Sequence, residues 1–229
     1  MTPSASWFLL LALTPVVFLL LTWFLGAHAY KEENKKRYSL LTMFPYEMLE
    51  GGSGAKNATR VSYYFYLAAS AFAGSYLLLT LDKHTYLLPL AIVVLVFFVL
   101  QNVALLALGL ISAYNPKQHL LAYVAYSGLS VLAEASSAVT FANLMPVDSS
   151  LALGFCVAMV AFAAIHFLLL VNPRLSHWGE LRSTMDEQGN VTTYRPKPFV
   201  LAFSEHLALI FSLVSTIAGL LGFLLLNLK

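Results

Sequence analysis

The chain has 229 residues, of which 59% are hydrophobic and only 10% charged, and its formal net charge is +2. Soluble domains carry about 25% charged residues, so these long apolar runs are membrane spans rather than core segments. The runs and their connectors leave no room for a separate soluble domain, and so small a net charge gives no argument for nucleic acid.

In chain order, six spans are predicted, over about 7–29, 61–81, 86–113, 119–143, 150–171 and 199–226. They make 1–229 a single polytopic domain, an all-α integral membrane bundle of six transmembrane helices. Lipid offers backbone groups no partner, so each span closes its own hydrogen bonds as a helix. The short alternating segments of a barrel are absent. The first span ends in Ala27-His28-Ala29, which resembles a signal-peptidase site. No Lys or Arg precedes it, however, and Lys31, Lys35, Lys36 and Arg37 follow at once, which is the pattern of a retained anchor.

Basic residues set the orientation. Connectors 30–60, 114–118 and 172–198 carry eleven Lys and Arg, whereas the opposite side carries only Lys83 and Lys229. Both termini are therefore expected outside and loops 30–60 and 172–198 in the cytoplasm, as in a multi-pass plasma-membrane protein. Trp7, Trp23, Tyr30, Tyr86 and Tyr114 fall near span ends, where interfacial aromatics collect. The sequons at Asn57 and Asn190 lie in loops placed on the cytoplasmic side, and glycosylation of either would overturn this orientation.

The two long loops differ. Tyr30 to Arg37 is expected to extend the first helix into water, and "YSLLTMFPYEML" to lie along the membrane surface as a connector, before the flexible "GGSG". A lid or partner-docking role is the alternative. In the last loop "STMDE" and "VTTYR" flank Gly189-Asn190, which predicts a short cytoplasmic β-hairpin. "RLSHWGEL" before it reads as an interfacial helix anchored by Trp178.

The polar residues inside the spans carry the functional signal. Tyr123, Ser127, Ser130, Glu134, Ser137 and Thr140 recur at steps of four, three, four, three and three, so they form one stripe along the fourth helix. A carboxylate near the bilayer centre costs at least about 2.5 kcal/mol. The stripe therefore faces the bundle interior or a water-filled cavity. Gln101 and Asn102 lie at a similar depth on the third span, and an amide is expected to donate to Glu134. No basic residue is expected at Glu134's depth. Protonated, Glu134 is structural glue; able to lose its proton, it is a relay or a cation ligand. Glu205, His206 and His166 are expected to form a second cluster nearer the cytoplasm. Ser215, Gly219 and Gly222 on the sixth span, and Ser70 and Gly74 on the second, are spaced for close helix packing.

Several chemistries lack their residues. The single cysteine, Cys156, excludes an internal disulfide and any CxxC motif. No HExxH or HxxxH cluster supplies a metal, no GxSxG a nucleophile, and no P-loop or GxGxxG a nucleotide site. No catalytic residue, metal or cofactor is assigned. Three readings stand. One is a transporter or permease-like component with a path for a proton or small solute centred on Glu134. Another is a scaffold or subunit that docks a partner membrane subunit, or its own copy, through helix seams and loops. The third is an intramembrane acid–base enzyme. A path predicts a hydrated cavity at Glu134, a scaffold predicts a dry centre, and an enzyme predicts a second titratable group in reach.

Overall fold

The computed structural model describes residues 3–35, 37–51, 53–79, 85–112, 115–173, 182–185, 191–194 and 199–227. These form, in order, α1 (Pro3–Asn34), α2 (Pro45–Leu49), α3 (Gly54–Leu79), α4 (Leu88–Leu110), α5 (Pro116–Asn143), α6 (Ser149–Leu170), β1 (Arg182–Met185), β2 (Val191–Tyr194) and α7 (Val200–Asn227). Lys83, Tyr114, Trp178 and the Gly189-Asn190 turn lie outside the described residues. β1 and β2 pair antiparallel, Arg182 opposite Tyr194 and Met185 opposite Val191.

The structure is that of a helical membrane protein. Helices α1, α4, α6 and α7 are long and apolar enough to cross a bilayer. Long helices α3 and α5 are not among these four; each carries buried polar or charged residues, including Lys56, Ser62 and Ser70 in α3 and Ser127, Ser130 and Glu134 in α5. Helices α3, α4, α5 and α6 pack in sequence, α1 packs on α3, and α7 touches α1, α3, α5 and α6. The most enclosed of the four apolar helices is α7, and α6 the least, which places α7 toward the middle and leaves α6 facing outward. Side chains such as Val157, Val160 and Leu168 on α6 and Ile92, Val96 and Val103 on α4 are exposed, as lipid-facing positions are.

Close helix approach in the core depends on small residues. A Cβ built on Gly222 of α7 would lie 2.7 Å from ring atoms of both Phe141 and Phe155, whereas one on Gly219 would meet only Met159, at 3.8 Å. The Phe141 ring is itself stacked on Phe223, with centroids 4.5 Å apart, so it has little room to yield. Gly222→Ala is expected to destabilise by about 1–3 kcal/mol, the usual cost of overpacking, and Gly219→Ala to be tolerated. Thermal unfolding of the two variants in detergent checks this, and equal midpoints would contradict it.

Segment 38–50, whose sequence suggests a surface connector, packs against the helices. Phe44, Met48 and Leu49 are buried, and α2 plugs one end of the bundle, packed on α1, α3, α4 and α7. Pro45 opens the single turn, and the Glu47 carboxylate accepts from Phe44 N at 2.7 Å, which satisfies an amide the helix leaves free. Lys56, 1% exposed, donates from Nζ to Glu47 O at 2.8 Å with its ammonium over the Tyr30 ring. Phe199 N donates to Leu41 O at 2.8 Å, tying the segment to the start of α7.

Candidate functional site

Helices α5 and α7 bring their polar faces together at a constant offset. Tyr126 Oη donates to Ala208 O at 3.4 Å, and Ser130 Oγ lies 3.4 Å from Ser212 Oγ, both 82 residues apart in the chain. The stripe read from the sequence is thus the face that α5 turns inward: Tyr123, Ser127, Ser130, Glu134, Ser137 and Thr140 are all buried.

Glu134 is 4% exposed and is paired. Its Oε2 lies 2.8 Å from Nδ1 of His166 on α6, which is fully buried. The expectation that no basic group stands at this depth is therefore corrected. Helix α6 carries His166 only four residues from its C-terminal end, but neighbouring helices need not share an axial level, and the pair closes across that difference. On the far side of the ring, Nε2 lies 3.2 Å from both Ala208 O and Ser212 Oγ. Gln101 Nε2 of α4 donates to Ser212 Oγ at 3.0 Å, and Ser130 Oγ donates to Tyr126 O at 2.9 Å. Four helices contribute to one buried network.

The amide expected on Glu134 instead meets Ser212, which links to Glu134 only through His166. Asn102 stands apart, donating to Phe98 O of its own helix at 2.8 Å. Ser137 Oγ donates to Ala133 O at 2.8 Å. Ser127 Oγ and Glu134 Oε1 have no hydrogen-bond partner among the described residues. Glu134 Oε1 is the notable one, because Glu134 lines a cavity of about 40 Å³ with Gln101, Ser137, Ser215, Thr216 and Gly219. A water needs about 10–15 Å³ of such space, so there is room for two or three.

The second cluster expected from sequence is divided. His166 belongs to Glu134. Glu205, fully buried, instead places Oε1 3.0 Å from Nε2 of His119 on α5, whose Nδ1 lies 2.9 Å from Ile111 O. His206 faces outward from this pair: its Nε2 lies 2.9 Å from Tyr38 Oη and 3.1 Å from Met43 O. The aromatic ring of Phe44 stands edge-on to His119 at 4.9 Å, so the plug covers the Glu205–His119 pair directly. Sequence reasoning missed His119. The signal was present, because it continues the stripe one step of four before Tyr123.

Of the packing residues, Ser215 and Gly219 line the Glu134 cavity and Gly222 takes the close approach of Phe141 and Phe155. Ser70 is buried beside Tyr66, and Gly74 lies within α3. Among the described residues no group of three or more His, Cys, Asp or Glu is arranged to hold a metal ion. Comparison with known protein families, curated proteins and solved structures gave no match.

Proposed function

We propose that the chain is a six-span plasma-membrane transporter or permease-like component whose core binds and releases a proton at the Glu134–His166 pair. Both termini lie outside, and the β1–β2 pair belongs to a hairpin on the cytoplasmic side. The orientation is supported by the eleven-to-two distribution of basic residues.

The observation that carries the reading is the double environment of His166 Nε2, which faces a carbonyl and a hydroxyl at the same 3.2 Å. Ala208 O can only accept, so with a proton on Nε2 that contact is a hydrogen bond. Nδ1 then shares one further proton with Glu134 Oε2, as imidazolium and carboxylate or as neutral ring and carboxylic acid. When that proton leaves, the ring keeps its single proton on Nδ1, donating to the carboxylate, and Nε2 accepts from Ser212. Partners are in place for the pair in both states, as a reversible proton site needs and as simple structural glue does not. An intramembrane ionisable pair of this kind is functional by default.

Glu134→Gln is expected to fold with normal yield, since glutamine keeps the shape and can still meet Nδ1, and to lose proton movement. The measurement is decay of an imposed pH gradient in proteoliposomes containing mixed sodium and potassium salts. Unchanged decay with normal yield would sink the proposal. It would favour instead a scaffold, a reading that draws on the small size of the central cavity.

A further inference from the structure

A groove of about 310 Å³ opens at the edge of the bundle between α2, α3 and α4, bordered by Tyr46, Glu50, Arg60, Tyr64, Gly109 and Leu110. It shares no residue with the cavity at Glu134. Its level is that of the membrane surface, because Leu110 is the last residue of an apolar span and Arg60 lies in the second turn of α3.

Two opposite charges border this groove without neutralising each other. Arg60 Nε donates to Leu49 O at 2.6 Å, which fixes the guanidinium against the end of α2. Nη1 reaches only Asn57 Oδ1, at 3.4 Å, and Nη2 has no hydrogen-bond partner among the described residues. Glu50 caps α2 through its backbone, its amide donating to Tyr46 O at 3.0 Å. Arg60 and Glu50 form no ion pair among the described residues. Tyr46 stands in the field of both. Burial raises the pKa of its hydroxyl above the ordinary tyrosine value, a hydrogen bond with Ser112 lowers it, Glu50 raises it and Arg60 lowers it. A cation and an anion held apart at one groove match a ligand that carries both charges.

The chemistry distinguishes the two ends of that ligand. A phosphate accepts parallel N–H bonds from a guanidinium fork. A primary ammonium donates to a carboxylate, and it gains further from tyrosine rings and from the carbonyl end of a helix. Tyr46, Tyr64 and the last two residues of α4 supply both at this groove. The remaining side opens to lipid. Tyr64 and Leu110 are exposed, and Val103 and Val96 follow Leu110 at seven-residue steps along α4, both exposed as well. A headgroup seated here leaves its acyl chain a continuous apolar face.

We infer that the groove at Glu50, Arg60 and Tyr46 holds the headgroup of a phosphoethanolamine lipid, with its phosphate on Arg60 and its ammonium on Glu50. This stands independently of the proton-binding reading of Glu134 and His166. The lipid bridges the plug to α3 and α4 at the bilayer surface.

The test uses the intact chain, delipidated in detergent and titrated with phosphatidylethanolamine, phosphatidylcholine or phosphatidylglycerol, and native mass spectrometry reads occupancy by the first lipid. Phosphatidylethanolamine should half-saturate at about tenfold lower concentration than the others, the equivalent of one charge-assisted hydrogen bond. Choline has no N–H to donate, and phosphatidylglycerol brings an anion to Glu50 without a cation. Glu50→Gln should melt as the parent does and should bind phosphatidylglycerol at least as well as phosphatidylethanolamine. Arg60→Lys keeps the charge but loses the fork, and should weaken all three lipids together. Free phosphoethanolamine should compete poorly, since it lacks the chain. Equal occupancy by the three lipids, or a parent that prefers phosphatidylglycerol, would overturn the proposal. An unchanged preference in Glu50→Gln would remove the ammonium from Glu50, and unchanged occupancy in Arg60→Lys would remove the phosphate from Arg60. Competition by free phosphoethanolamine as effective as by the whole lipid would contradict a lipid as the ligand.

Discussion

Replacing His166 with phenylalanine is expected to destabilise the fold by about 3–5 kcal/mol, because breaking a buried pair leaves the partner charge uncompensated. Phenylalanine fills the space of the ring but removes both nitrogens. Glu134 then keeps neither oxygen partnered, and Ser212 and Ala208 lose their contact to Nε2. Against a total stability of about 5–15 kcal/mol, such a loss is a large fraction. Proton movement should vanish with it. The double variant Glu134→Leu with His166→Phe should recover most of the stability and none of the movement, since it removes the stranded charge as well. Thermal unfolding followed by fluorescence reads the first effect. A single variant melting within about 2 °C of the parent would show that the pair carries little stability.

His119→Phe is expected to cost a similar amount, about 3–5 kcal/mol by the same argument, but to report at a different place. It strands the Glu205 carboxylate, whose second oxygen already lacks a partner among the described residues. It also changes the surface on which the plug rests, because the ring of Phe44 packs against His119. Segment 38–50 should loosen, and Lys56, buried beneath it in the native fold, should become a trypsin site. Proton movement per folded molecule should persist, since Glu134 and His166 are intact. Protection of Lys56 as complete as in the parent would contradict the packing role assigned to His119.

The apolar runs and the polar stripe were legible because both follow from one helix at a time. Hydropathy locates a helix and helical spacing groups side chains on a face, so Glu134 emerged as the centre of an inward stripe. Pairing between helices was not legible. Whether His166 meets Glu134 or Glu205 depends on the relative axial position and rotation of α5, α6 and α7, which neither span lengths nor periodicity contain. His119 escaped notice at the edge of its span, where a lone histidine is ordinary. Segment 38–50 carries apolar residues that suit a membrane surface and a bundle mouth equally well, and only the fit of Phe44, Met48 and Leu49 among the helix ends separates the two.

The glycine in contact with Phe141 and Phe155 also bears on how this bundle moves. Sliding α7 by one turn, about 5.4 Å, in one direction sets Ser215 or Thr216 opposite His166, so a hydroxyl is retained. The same slide drives Leu225 or Leu226 into the space that only Gly222 fits. Sliding the other way sets Gly219 there without collision, or Ala218 with the clash of an added Cβ, and brings Ala208 or Leu209 where Ser212 stood, which strips the ring of its hydroxyl. Each direction violates one of the two requirements, so α7 is held as a fixed post. On the proposed reading, access to the Glu134–His166 pair comes from displacement of the outer helices around α7, α6 foremost.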